Sequence, residues 1–118
     1  MTRSDELCLQ ILDREGLKVF SAALVFCDGR GHGRIKAMQW QVIFQDLLIN
    51  RRFMAQRTGL DFYETEKKAQ TSVNRVSKTL PPELNWLMGY LAFRKICIPA
   101  DSADTWIWAS AIIRSWPD

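Results

Sequence analysis

Histidine is almost absent from this 118-residue chain, with His32 the only one. A Ser-His-Asp or Cys-His arrangement would have to use that single side chain. It sits in a glycine-rich stretch, where a lone imidazole is commonly solvated and idle. Cysteine is scarce as well. Cys8, Cys27 and Cys97 are odd in number, widely separated and never in a C-x-x-C pair. That argues against a disulfide scaffold and a zinc site, and for a reducing compartment. Neither H-E-x-x-H nor a calcium-loop pattern occurs. This inventory leads us to expect no catalytic residue, no metal and no cofactor, hence a protein that is not an enzyme.

Long apolar runs are missing too. The longest, Ala22–Cys27, has six residues, against roughly 20 needed to cross a bilayer. The opening M-T-R-S-D-E-L lacks the apolar core of a secretory signal. A cytoplasmic protein without a membrane partner is expected. Strand-like alternation, internal repeats and low-complexity linkers are likewise absent, which leaves helical spacing punctuated by Gly and Pro as the recurring pattern.

Ser4 is placed to cap a first helix, with Asp5 and Glu6 in its opening turn, Gly16 as its terminator, and Leu7, Ile11 and Leu12 facing inward. Leu17–Cys27 is apolar enough to suit a buried strand or a buried helix. Helix is preferred because no partner strand exists elsewhere. From Ile35 to about Arg57 the spacing predicts the longest helix. Ile35, Met38, Val42, Ile49 and Phe53 lie on one face and Trp40, Phe44, Leu47 and Leu48 on the other, the pattern of a helix surrounded by neighbours.

Thr58-Gly59 ends that helix and Asp61 caps the next, predicted over residues 62–80 with Phe62, Ala69, Val73, Val76 and Leu80 as a narrow apolar stripe. Glu64 and Glu66 read as dipole-favoured residues near its start. Pro81-Pro82 opens a further helix, apolar nearly all round, which runs to Cys97 and is stopped by Pro99. Ser102 or Asp104 caps the last helix. There Trp106, Ala109, Ile113 and Trp116 share one face, and Trp108 and Ile112 another. The expectation is all-α: one compact domain over residues 1–118, a bundle of five or six helices with a long central helix near residues 35–57.

Charge is unevenly spread. Residues 1–29 are net −2 and residues 79–118 net −1, whereas residues 30–78 hold ten Lys and Arg against four Asp and Glu, net +6. Segregated positive charge points to an anionic partner. Its first part is C-D-G-R-G-H-G-R-I-K over residues 27–36. This is no phosphate loop, since Arg34 follows Gly33 where a Lys-Ser/Thr pair is required, and the run is G-x-G-x-G, not the G-x-G-x-x-G of a dinucleotide fingerprint. Two readings stand. Gly29, Gly31 and Gly33 form a turn that tolerates positive φ, or they present backbone N–H groups to an anion with Arg30, Arg34 and Lys36.

The second part is the polar side of the helix predicted over residues 62–80. Lys67, Lys68, Arg75 and Lys78 can neutralise phosphates, and Thr71 and Asn74 are short side chains suited to backbone or base contacts. Arg51, Arg52 and Arg57 can extend the patch from the preceding helix. The stretch A-Q-R-T-G-L at residues 55–60 invites a helix-turn-helix test. Thr65 and Lys68 stand where that pattern needs apolar residues, so the family is not assigned.

The expected function is a small accessory or regulatory protein whose basic segment contacts DNA, RNA or a nucleoprotein complex. The alternative is a protein–protein module (an adaptor, inhibitor, small helical subunit or homo-oligomer) using Trp106, Trp108 and Trp116, which cannot all face one core.

Overall fold

The computed structural model describes residues 3–16 and 37–116. These residues form five helices and no strand: α1 Arg3–Glu15, α2 Ala37–Thr58, α3 Phe62–Val76, α4 Pro82–Cys97 and α5 Pro99–Ile113. The all-α expectation holds. Leu17–Cys27 and the glycine loop at 29–33 lie outside the described residues. Backbone contacts group the chain into two units, Met1–Leu48 and Ile49–Asp118, whose boundary falls within α2.

In the first unit, α1 starts at Arg3, so Ser4 lies inside its first turn and does not cap it. Asp5 and Glu6 occupy that turn, and Gly16 ends the helix at φ +64°, donating its N–H to the Asp13 carbonyl at 3.0 Å. Leu7, Ile11 and Leu12 are buried as expected, together with Cys8 and Leu9. The first half of α2 buries Trp40, Ile43 and Leu47, and Trp40 stacks on Phe44 at 5.3 Å between ring centres.

α2 departs from its sequence reading. Met38, Val42, Ile49 and Phe53 are 79%, 56%, 66% and 59% exposed. The helix is the longest described, yet it buries one side only.

The second unit is organised by α4. Leu84, Leu87, Met88, Tyr90, Leu91, Ala92, Phe93 and Cys97 are all buried, each large aliphatic or aromatic side chain contributing about 1.5–3 kcal/mol. α3 and α5 both pack on α4. Across the first seam Phe62 meets Phe93 at 5.6 Å between centres; across the second, Lys95 lies 5.5 Å from the Trp106 ring.

Local signals set the turns. Gly59 at φ +71° closes α2, with its own N–H bonded to the Gln56 carbonyl (3.3 Å) and the Leu60 N–H to the Ala55 carbonyl (2.9 Å). This paired closure satisfies carbonyls a helix end otherwise leaves open. The Asp61 carboxylate accepts the Glu64 N–H at 2.9 Å and caps α3.

α3 stops at Val76, four residues before its predicted end, because Ser77 is extended at φ −158°, ψ 145°. Pro82 opens α4 as expected. α5 begins directly at Pro99, with Ile98 the only residue between the helices. Ser102 therefore sits inside α5, not at its cap. Its hydroxyl donates to the carbonyls of Arg94 (3.1 Å) and Ile98, which ties the two helices at their junction.

Candidate functional site

The polar side of α3 is a direct product of its apolar side. Thr65, Ala69 and Val73 are buried in one row against α4. At 3.6 residues per turn, Lys67, Lys68, Thr71, Asn74 and Arg75 then fall within about 120° on the opposite side, and all five are exposed. The Thr71 hydroxyl donates to the Lys67 carbonyl at 2.9 Å, so its proton is committed within the helix. Asn74 Oδ1 accepts from Gln70 Nε2 at 3.1 Å.

Lys78 is exposed but lies beyond the cap of α3, off the helical face on which the sequence placed it. From α2, Arg57 is exposed in the last turn, and Arg52 is exposed with its guanidinium 4.9 Å from the Phe62 ring. Arg30, Arg34 and Lys36 lie outside the described residues.

Arg51 needs a correction. The sequence puts it with the solvent-facing cations, but it is 6% exposed and ion-paired with Glu66 of α3. Its guanidinium stands 4.9 Å from the ring of Trp86 on α4. Burial pushes the Arg51 pKa below its ordinary value, and the Glu66 carboxylate opposes that shift. A phosphate would have to displace Glu66 to reach it. Arg51 therefore joins α2, α3 and α4. On the same seam the Tyr90 hydroxyl donates to Asn50 Oδ1 at 3.2 Å.

Beside this junction lies an open cavity of about 90 Å³, lined by Arg51, Glu66, Gln70, Asn85 and Trp86, with Ala69 and Gly89 adding no bulk. Gln70 Nε2 donates to both Asn74 Oδ1 and Asn85 Oδ1, the latter at 3.3 Å, so three carboxamides form one chain from the outer face of α3 into the seam with α4. Sequence reasoning missed Tyr63, Gln70, Asn85 and Trp86. The signal for two of them was present: Tyr63, Lys67, Gln70 and Asn74 follow the i, i+4, i+7, i+11 spacing of one helical face.

The C-terminal tryptophans are not equivalent. Trp106 is 8% exposed and belongs to the core, so it is no surface anchor; Trp108 and Trp116 are half-buried. Ile107, between the first two, is 62% exposed.

No family model, curated protein or solved structure matches this chain. Its chemistry has to be read from its own residues. Among the described residues, no group of three His, Cys, Asp or Glu side chains is placed to hold a metal ion, and no helix is long and apolar enough to cross a membrane.

Proposed function

We propose that this chain is a small, non-enzymatic accessory or regulatory protein whose basic segment contacts nucleic acid or a nucleoprotein partner. One observation carries the reading. Of the seven described cations in residues 30–78, six (Arg52, Arg57, Lys67, Lys68, Arg75 and Lys78) are exposed, and among the described residues none of the six forms an ion pair. Of the segment's acidic groups, Glu66 is paired with Arg51, while Asp61 and Glu64 are exposed. The exposed charge of the segment's described residues is therefore net positive, six cations against two carboxylates, as phosphate binding requires.

The test is binding of the purified protein to generic DNA and RNA at low salt, with Lys67→Glu, Lys68→Glu and Arg75→Glu combined in one variant. Binding that the variant loses supports the reading; no binding by the wild type at low salt overturns it.

A second reading, a protein–protein module or homo-oligomer, is favoured by a different observation. Large apolar side chains are exposed in both units: Met38 and Val42 in the first, Ile107 in the second. Loss of a captured partner or of self-association in Ile107→Asp and Trp108→Ala, with the charge-reversed variant unaffected, would favour it.

A further inference from the structure

We infer that the α3 face recognises unpaired nucleotides, with Tyr63 stacking a base and the Gln70–Asn74–Asn85 carboxamides meeting base edges. This rests on the nucleic-acid reading above and adds the strand state of the ligand. Tyr63 is 72% exposed, yet its ring is held edge-on by Phe62, at 5.5 Å between centres and 87° between planes. Phe62 itself contacts the Phe93 ring, at 5.6 Å between centres, and the Arg52 guanidinium, 4.9 Å from its centre. An aromatic ring that is both exposed and braced offers a flat face with little ordering left to do, which favours stacking.

Tyr63 shares its side of α3 with Lys67, Gln70 and Asn74, over about 16 Å of helix rise. A cation for the phosphates, a ring for a base and amides for base edges therefore follow one another along a single row. Such interleaving marks single-strand recognition, in which unstacked bases are splayed onto aromatic side chains.

The carboxamides supply polar partners for a base edge, while the exposed Tyr63 ring carries the preference for unpaired strands. The bond from Gln70 to Asn85 places the inner end of the amide chain in the seam between α3 and α4, beside the cavity walled by Trp86. Asn85 and Trp86 are half-buried there. The Gln70–Asn85 bond is itself exposed, so the edge of an unstacked base can meet it.

The experiment measures binding of the full chain to labelled oligothymidine and oligouridine of about fifteen nucleotides, and to a DNA duplex of the same length. The proteins compared are wild type, Tyr63→Ala, Asn85→Ala and the combined Lys67→Glu/Lys68→Glu/Arg75→Glu variant, with circular dichroism as a check on folding. The expected result is tighter binding of single strands than of duplex. Tyr63→Ala should weaken single-strand binding about ten-fold and change duplex binding less than about two-fold. A preference between the thymidine and uridine strands assigns DNA or RNA. If the duplex binds as tightly as single strands, or Tyr63→Ala is silent while charge reversal abolishes binding, the single-strand inference is overturned and the nucleic-acid reading survives. If wild type binds none of the three, both fall.

Discussion

Arg51 and Glu66 form an ion pair between α2 and α3 in which the arginine is buried and faces Trp86 of α4. The pair turns a residue that reads as surface charge into a three-helix junction. Removing one member of a buried pair strands the other, whereas replacing both with apolar groups of similar volume is often neutral. Because Glu66 is 36% exposed, the cost should fall toward the lower part of the usual range. Glu66→Ala is predicted to lower unfolding free energy by about 2–4 kcal/mol, and Arg51→Met with Glu66→Leu to cost clearly less. Urea denaturation decides; equal, additive losses would contradict the junction.

Gly59 and Gly89 make a second contrast. Neither would bring an added Cβ into a clash: nothing lies within 4 Å at Gly59, and only Gln70 Oε1, at 3.7 Å, at Gly89. Gly59 is at φ +71° and ends α2, so Gly59→Ala should cost about 1–2 kcal/mol from backbone strain alone. Gly89 lies inside α4, where alanine is the better helix former by about 1 kcal/mol. Gly89→Ala should be neutral or stabilising. Thermal unfolding of the two variants separates conformational strain from packing.

The C-terminal helix offers a packing test. Trp106→Ala empties a core position and should cost about 3–5 kcal/mol. Ile107→Ala, one residue along on the exposed side, should stay within about 0.5 kcal/mol. Similar losses for both, measured by denaturant unfolding, would contradict the assigned facing of α5.

Cys97 links structure to pH. Burial raises the pKa of its thiol, and a hydrogen bond with Thr58 partly opposes the shift. A thiol with a raised folded pKa loses protons first in the unfolded chain. Its contribution is therefore complete below the unfolded value of about 8.5 and is lost as pH rises through the folded value. Stability should decline above about pH 8.5, and Cys97→Ala should flatten part of that decline. An identical alkaline profile in the variant would show that the Cys97 thiol contributes nothing to it.

Turns were the most legible part of the sequence, because their chemistry is local. Gly16, Gly59, Asp61 and Pro82 each act where their backbone or side-chain properties require. Ser102 misled for a physical reason. A hydroxyl near a helix start can cap it, or can sit inside the helix and donate back to a carbonyl, as Ser102 does to Ile98. The end of α3 escaped notice because periodicity continues through Val76 and Leu80, while the backbone at Ser77 is already extended.

Which helix is most buried was harder still. α2 and α4 are both apolar around most of their circumference, and composition carries no record of which neighbours cover which side. Met38 and Phe53 are exposed while Leu84 and Phe93 are fully buried. The candidate site divides in the same way. Exposure of Lys67, Lys68, Asn74 and Arg75 follows from spacing within one helix. The pairing of Arg51 with Glu66 joins residues fifteen apart on different helices, and no periodicity within one helix reports it.

The central claim, that the cationic side of α3 meets phosphates, is tested most directly by the salt dependence of nucleic-acid affinity. Each phosphate neutralised contributes about 0.7–0.9 to the slope of log K against log salt. Wild type should show a steep negative slope, and the combined Lys67→Glu/Lys68→Glu/Arg75→Glu variant a slope shallower by about two to three units. A flat wild-type slope, or one the variant leaves unchanged, would contradict the account.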